Sequence, residues 1–66
     1  MNTFEYNRRK CGMSQAVLAE KLSISQGTIS SWEKGRTRPR SDTLIRLADV
    51  LGVTVDELLR EEKNHE

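Results

Sequence analysis

Three arginines at alternate positions are the residues of this chain best suited to hold a polyanion. Arg36, Arg38 and Arg40 follow Gly35 in a segment that has few apolar residues. The planar guanidinium group donates hydrogen bonds in a fixed fork geometry that matches phosphate oxygens. We therefore expect this segment, named here the arginine loop (residues 36–40), to contact phosphate groups. A solvated basic loop without a ligand is the alternative interpretation.

The helix predicted just before this loop, residues 26–34, has a polar face that suits the edges of bases. Ile29 and Trp32 are three residues apart and share its inward face. The other side and the N-terminal end hold short or polar residues and one cation: Gln26, Gly27, Ser30, Ser31 and Lys34. Glutamine can form two hydrogen bonds with adenine, and serine can bond several bases. An ordinary solvent-facing helix is the alternative.

Gly27 is the least expected residue on that face. A glycine inside a helix costs about 1 kcal/mol relative to alanine. A close approach between the helix backbone and a ligand would explain it.

Residues 14–35 predict two short helices joined by a tight turn. Ser14 and Ser25 stand where the helices begin, at positions where a serine hydroxyl accepts a hydrogen bond from a free backbone N–H. We expect the first helix over residues 15–22, and Ser23 and Ile24 to form the turn. Two helices of this length joined so closely cross at a steep angle, which is the helix-turn-helix geometry. Their N-termini also offer free N–H groups to phosphate, at Gln15 and Ser25.

Three more helices are predicted around this pair. The first covers residues 4–11 and is capped by Asn2 or Thr3, the fourth covers 42–51 with Ser41 as its cap, and the fifth covers 55–60. Thr54 and Glu57 have the spacing of a capping box. The apolar positions predict a core that includes Val17, Leu18, Ala19, Leu22, Leu44, Leu47, Ala48, Leu51, Val55, Leu58 and Leu59. The three residues from the fifth helix are also candidate dimer contacts. We expect the polar tail, residues 61–66, to fray.

Length and composition limit the class of protein. The chain has 66 residues, which is one small domain, and one cysteine, which excludes an internal disulfide. It has no apolar run long enough to span a membrane and no signal-peptide pattern, so we expect a cytoplasmic protein. The net charge is only +1, yet residues 1–40 hold eight Lys/Arg against three Glu, and residues 41–66 hold three against seven acids. Such an asymmetry orients a protein on a polyanion.

Nothing in the sequence predicts an enzyme, a metal site or a bound cofactor. Cys11 has no histidine partner by pattern and is expected to be a small buried hydrophobe. His65 has no second ligand at metal-binding spacing, and there is no glycine-rich phosphate loop. The serines are helix caps and surface residues.

Motifs spread over about residues 4–60 resemble one family. They are Gly12-Met13-Ser14-Gln15, Leu18-Ala19, Ile24-Ser25-Gln26, Ile29-Ser30, Trp32-Glu33-Lys34-Gly35, Pro39, Leu44, Leu47-Ala48, Leu51-Gly52-Val53 and Asp56-Glu57-Leu58-Leu59. This set is similar to the Cro/C1-type (XRE) helix-turn-helix regulators. The resemblance implies an all-α, five-helix, lambda-repressor-like DNA-binding domain over residues 1–60, which binds palindromic operators as a homodimer.

The resemblance also assigns roles to individual residues. It implies that Gln26, Gly27 and Ser31 read bases, with Ser30 beside them. It places Gln15 at an operator phosphate and the arginine loop at the DNA backbone. We also expect Ser25 and Lys34 to bind phosphate. Arg8 lies on the inward stripe of the first helix, where an unpaired charge would be costly. The resemblance implies that Arg8 forms a buried ion pair with Glu33.

Two positions depart from the family pattern. Ser23 stands where the family often has glycine, and a left-handed conformation there would add about 1 kcal/mol of strain. Asn7 stands where leucine is usually buried, which predicts weaker packing of the first helix. The glycine at position 27 removes a reading side chain, so the specificity would be modest or would rest partly on DNA shape.

Two functions remain open at this stage. The first is a sequence-specific transcriptional regulator, a repressor, that binds double-stranded DNA. The second is an antitoxin-like or co-regulator module that uses the same fold to bind another protein, which a broad apolar patch on the first or fifth helix would support.

Overall fold

The computed structural model describes residues 1–60, and all regular secondary structure in that range is helical. Five helices follow one another: α1 (Thr3–Lys10), α2 (Gln15–Leu22), α3 (Gln26–Glu33), α4 (Ser41–Leu51) and α5 (Val55–Leu59). The predicted all-α, five-helix architecture is confirmed. The tail at 61–66, predicted to fray, lies outside the described residues, so the domain boundary stays a prediction. No helix in residues 1–60 has the length and apolar character needed to cross a membrane.

The five helices enclose one small core. α2 packs on α3 and α4, α1 packs on α3 and α5, and α4 also contacts α5. The apolar side chains that are buried come from every helix except α1: Leu18, Ala19, Leu22, Ile29, Trp32, Leu44, Leu47, Ala48, Leu51 and Leu58. Phe4 of α1 packs against this cluster from its edge, with its ring centroid 6.3 Å from that of Trp32.

Side-chain caps define the starts of four helices. The Ser14 and Ser25 hydroxyls accept from the backbone N–H groups of Val17 (3.0 Å) and Thr28 (3.2 Å). Thr54 and Glu57 form the predicted capping box. Asn2, rather than Thr3, caps α1, so this helix covers residues 3–10 instead of 4–11.

The prediction that Ser41 caps α4 is wrong. Arg40 is the N-cap, and no side chain caps this helix. The Arg40 carbonyl accepts from the Leu44 N–H at 2.8 Å, so Ser41 is already the first helical residue. The ends of α3 and α5 also lie one residue earlier than predicted, because Lys34 is a C-cap and Arg60 is extended.

Several predicted core residues are exposed. Val17 is 41% exposed and Leu59 is 49% exposed, and Val55 is only partly buried. Val17 and Leu59 are each adjacent in sequence to a fully buried leucine, and one residue along a helix turns the side chain by about 100°. Cys11, predicted to be buried, is exposed because it lies at the C-cap of α1, beyond its last turn. Its thiol donates to the Leu51 carbonyl at 3.3 Å.

Asn7 is buried, and its amide has a partner. Its Nδ2 donates to the Thr3 carbonyl at 2.9 Å. Because a buried amide with a hydrogen-bond partner avoids most of the desolvation penalty, the helix tolerates this residue where the family has leucine. In the described part of the chain, every buried side-chain nitrogen and oxygen has a partner.

The turn between α2 and α3 places Ser23 in the left-handed region, with φ 59° and ψ 43°. The Ile24 N–H then bonds back to the Ala19 carbonyl at 3.0 Å, which satisfies an end carbonyl of α2. Among residues 1–60, Ser23 is the one non-glycine residue with a positive φ. This serine therefore carries the strain expected from the sequence.

A buried ion pair joins α1 to α3. The Arg8 Nε and Nη2 atoms donate to the two Glu33 carboxylate oxygens at 2.7 and 3.0 Å. Its Nη1 donates to the Met13 carbonyl at 2.9 Å, so the same guanidinium also holds the chain just before α2. The two side chains are only 9% and 5% exposed. This is the pair that the family resemblance implies.

The ion pair keeps both groups charged. Burial alone acts to raise the pKa of Glu33, but hydrogen bonds from Arg8 and Gln15 and the charge of Arg8 together hold it below its usual value. The hydrogen bond with Glu33 raises the pKa of Arg8 in spite of its burial. Because the pKa of Glu33 is lower in the folded state than in the unfolded chain, its contribution to stability is present above the unfolded pKa. That contribution is lost as the pH falls through the folded pKa.

We predict that Glu33→Gln lowers the free energy of unfolding by about 3–5 kcal/mol at neutral pH, because it leaves the Arg8 charge buried without a counter-charge. Urea unfolding followed by circular dichroism measures this change. The wild type should also lose stability as the pH falls through the folded pKa of Glu33, whereas the variant should not show this part of the loss. Glu20→Gln, on the exposed surface of α2, is the matched control and should change stability by less than about 0.5 kcal/mol. Equal effects of the two substitutions would contradict the role of the ion pair.

Candidate nucleic-acid interface

A chain of three side chains connects the ion pair to the N-termini of α2 and α3. Gln15 Nε2 donates to Glu33 Oε1 at 2.9 Å, and Gln26 Nε2 donates to Gln15 Oε1 at 3.4 Å. An ionised carboxylate only accepts hydrogen bonds, so Glu33 determines which end of the Gln15 amide faces it. The structure thus brings together two residues predicted for different tasks, Gln15 for phosphate and Gln26 for bases.

The remaining predicted base-reading residues differ in whether they line a groove beside α3. Gly27 and Ser31 line a shallow groove, together with Ser25, Arg38 and Arg40. Ser30 is half-buried and does not line this groove in the described part of the chain. Gln26 is exposed at the N-terminal end of the helix. We call the four residues 26, 27, 30 and 31 the reader face.

Packing within the protein does not require glycine at position 27. A Cβ atom built there would have a single neighbour within 4 Å, the Ser25 Oγ at 3.9 Å, which is an ordinary contact. The residue is helical, and its φ is not positive. The helix therefore has room for alanine in the free protein, and neither packing nor backbone conformation accounts for the glycine.

Ser25 has a double role at the start of α3. Its hydroxyl caps the helix, and it also shares a 2.9 Å hydrogen bond with the Thr28 hydroxyl. The residue remains exposed, at the edge of the groove. A phosphate at this end of α3 would meet the free N–H groups of the first turn.

The predicted phosphate-binding cations are exposed and have no partner within the described chain. Lys34, Arg36, Arg38 and Arg40 are all exposed and lie in the segment between the end of α3 and the start of α4. None of them is in an ion pair within residues 1–60, whereas Arg8, Arg9 and Arg60 each pair with a carboxylate. Arg46 donates to the Leu22 carbonyl at 2.9 Å and so caps the end of α2. Apart from Lys10 and Lys21, the cationic side chains of residues 1–60 that have neither an ion pair nor a hydrogen-bond partner thus follow α3 directly in the chain, and Arg38 and Arg40 line the groove with Gly27 and Ser31.

Thr37 is a candidate functional residue that no sequence pattern indicated. The Thr37 hydroxyl, in the arginine loop, donates to the Ser31 Oγ at 2.9 Å. A threonine between arginines carries no motif, and its partner is on a different element. Sequence reasoning missed this bond.

Side chains of the types that bind metal ions are not clustered in the described residues. Residues 1–60 contain no group of three or more His, Cys, Asp or Glu side chains that could hold a metal ion. His65, considered above as a possible ligand, lies outside the described part of the chain.

Comparison with known proteins places the chain in a family. Residues 5–58 match the family model described as helix-turn-helix. The chain is 38% identical over 52 residues to the HTH-type transcriptional regulator ImmR of Bacillus subtilis (strain 168), covering 79% of this chain and 41% of that protein. The chain therefore spans about two fifths of the length of this relative.

Two solved structures share the fold. The DNA-binding domain of the P22 C2 repressor, residues 1–76, has a TM-score of 0.81 and 32% identity, over 86% of this chain and 75% of that one. The N-terminal DNA-binding domain of the biofilm regulator SinR of Bacillus subtilis has a TM-score of 0.73 and 33% identity, over 96% and 93%. With its five helices and its α2–turn–α3 unit, this chain belongs to the Cro/C1-type (XRE) helix-turn-helix family, a family of DNA-binding transcription regulators and not a class of enzymes.

Proposed function

We propose that this protein binds double-stranded DNA sequence-specifically by inserting α3 into the major groove. The observation that carries the proposal is the polar reader face, exposed at Gln26 and Gly27 and half-buried at Ser30 and Ser31, together with four exposed cations that have no ion-pair partner within residues 1–60. In this arrangement Gln26, Gly27, Ser30 and Ser31 meet base edges. Short side chains let the helix lie deep in the groove, and Gln26 keeps its Oε1 and one N–H for an adenine.

The surrounding residues would hold the DNA backbone. Lys34 and the arginine loop contact phosphates on one side of α3, and Gln15 and Ser25 do so at the N-termini of α2 and α3. Gln15 is suited to this task because one hydrogen of its amide is already held by Glu33. The second hydrogen of the same amide then has a fixed direction, because Glu33 already orients the Gln15 side chain.

The relatives support a regulatory role, and we propose that it is repression. ImmR is a transcriptional regulator, and the C2 domain belongs to a phage repressor. One recognition helix reads only a few base pairs, so we also propose a homodimer on a palindromic operator, with half-sites about 34 Å apart. Of the residues considered for dimer contacts, Leu58 belongs to the core, and Leu59 has exposed apolar surface. DNA binding of this kind fits the cytoplasmic location expected from the sequence.

The alternative function, binding of another protein, has less support. Within residues 1–60 the exposed large apolar side chains are Met1, Tyr6, Val17, Ile45 and Leu59. Met1 and Leu59 line one depression where α1 packs on α5, whereas Val17 and Ile45 lie on α2 and α4. Two exposed apolar side chains beside one depression are less than the broad patch that this alternative requires. The reader face also lacks the aromatic or aliphatic anchors that dominate protein interfaces.

The proposal is tested by selecting bound duplexes from a random DNA library at near-physiological salt. We expect an enriched inverted repeat with half-sites about one helical turn apart. Recovery of duplexes without a shared motif, together with affinity that collapses as salt rises, would leave only the electrostatic component of binding. That result would contradict sequence-specific binding.

Two substitutions should separate phosphate contacts from base contacts. Arg38→Ala should weaken binding to all duplexes and reduce the slope of log affinity against log salt by about 1, because it removes one phosphate contact. Gln26→Ala should lose about 1–3 kcal/mol, mainly at one base pair. Fluorescence anisotropy with the selected duplex and its single-base variants measures both effects. Arg9→Ala, at an exposed arginine of α1 that pairs with Glu5, is the control for loss of a positive charge. If Gln26→Ala leaves the base preference unchanged, Gln26 is not a base-reading residue.

Gly27→Ala should have opposite effects on stability and on binding. We expect the free energy of unfolding to rise by up to about 1 kcal/mol, because alanine favours the helix and the site has room for its methyl group. We expect affinity for the selected duplex to fall, because the added methyl group keeps the helix away from the bases. Urea unfolding and anisotropy measure the two quantities. An alanine variant that binds as tightly as the wild type would show that close approach is not the reason for this glycine.

A further inference from the structure

The hydrogen bond between Thr37 and Ser31 connects the two parts of the proposed interface. Its donor lies in the arginine loop, and its acceptor lies on the reader face. We propose that Thr37 is a positioning residue that couples phosphate binding by the loop to base reading by Ser31. This inference rests on the proposed DNA-binding function and adds a residue that determines specificity through another side chain.

The backbone does little to hold the loop in place. The Gly35 and Arg36 N–H groups bond back to the Trp32 and Ser31 carbonyls at 3.1 and 2.9 Å, which ends α3. The next backbone bond along the chain is the one that the Arg40 carbonyl accepts at the start of α4. Among the hydrogen bonds of residues 1–60, the one from Thr37 to Ser31 is the only one made by residues 37–39.

Side-chain packing also leaves the loop weakly supported. Thr37 and Arg38 line the groove beside the reader face, and they also line a second depression whose floor includes Phe4, Trp32 and Leu58. The arginine loop thus separates the groove from the second depression. A segment in this situation has few buried contacts to keep its conformation, so one hydrogen bond has a large share in ordering it. The Thr37 hydroxyl supplies that bond.

The direction of the bond affects what Ser31 can recognise. Because Thr37 donates to the Ser31 oxygen, the hydrogen of the Ser31 hydroxyl remains free to donate. Ser31 then favours an acceptor, such as N7 or O6 of guanine, N7 of adenine or O4 of thymine. A phosphate bound by Arg36 or Arg38 would fix the position of the arginine loop and therefore of Thr37. Through its hydrogen bond, Thr37 would in turn orient the Ser31 hydroxyl. Loss of the Thr37 hydroxyl would allow Ser31 to rotate and to accept as well as donate.

The test compares Thr37→Val, which keeps the shape and removes the hydroxyl, with Thr37→Ser, which keeps the hydroxyl. The probe is the duplex recovered by library selection and its set of single-base-pair variants. We expect Thr37→Val to bind about 3- to 10-fold more weakly, as for the loss of one hydrogen bond, and to discriminate less at the base pair next to Ser31. Thr37→Ser should retain both properties. Melting curves of both variants should match the wild type, because the loop contributes nothing to the core.

A double-mutant cycle distinguishes coupling from independent effects. If Thr37 acts through Ser31, adding Thr37→Val to Ser31→Ala should cost little more than Ser31→Ala alone. Additive losses would overturn the proposal, since they would mean that the two hydroxyls act separately. Equal behaviour of Thr37→Val and Thr37→Ser would also overturn it.

A second measurement needs no DNA. Backbone ¹⁵N relaxation of the free protein should show lower order parameters at the amides of residues 36, 37, 38 and 40 in Thr37→Val, and wild-type values in Thr37→Ser. Unchanged order in Thr37→Val would contradict the anchoring role. If the wild type selects no shared motif, the proposed function itself fails. If the wild type selects an operator and the two Thr37 variants behave alike, only this inference fails.

Discussion

The ion pair between Arg8 and Glu33 is the interaction on which the rest of the structure depends. It crosses from α1 to α3, and the same guanidinium holds the Met13 carbonyl at the entrance to α2. A buried pair of this kind adds little net stability compared with an apolar substitute, but removing one partner is costly. Its main consequence here is geometric. It sets the positions of three helices with directional bonds, which an apolar contact could not do.

The pair also extends to the surface through the amide of Gln15. Glu33 is the last residue of α3, and Gln15 and Gln26 are the first residues of α2 and α3. A carboxylate in the interior therefore orients an amide at the N-terminus of one helix, and that amide contacts the first residue of the next. The geometry of the proposed interface is thus set in part by a buried carboxylate. Surface side chains at such a site lose less freedom on binding, because part of the ordering has already taken place in the free protein.

The arginines of this chain have two different environments. Arg8, Arg9, Arg46 and Arg60 are engaged by carboxylates or by a backbone carbonyl, and they support the fold. Those of the arginine loop have no ion-pair partner in the described part of the chain. Because a free guanidinium next to the reader face can exchange water for phosphate without breaking an internal bond, this second group is the one suited to DNA. The net charge of +1 conceals this separation.

The sequence by itself determined the features that depend on near neighbours. Ser14, Ser25 and Thr54 identify helix starts because a cap bonds to the backbone two or three residues away, and periodic leucines identify buried faces for a similar reason. The same local reasoning failed at Ser41, at Cys11 and at Val17, where the exact helix start or a rotation of one residue decides the outcome. Only the tertiary structure decided which charges and amides are engaged. Arg8 meets Glu33 across 25 residues, a pair that the family resemblance implied but local spacing did not, Gln15 meets Glu33 across 18, and Thr37 meets Ser31 from a separate element. No spacing rule predicts such contacts, because they depend on how the helices pack, and that packing depends on the whole core at once.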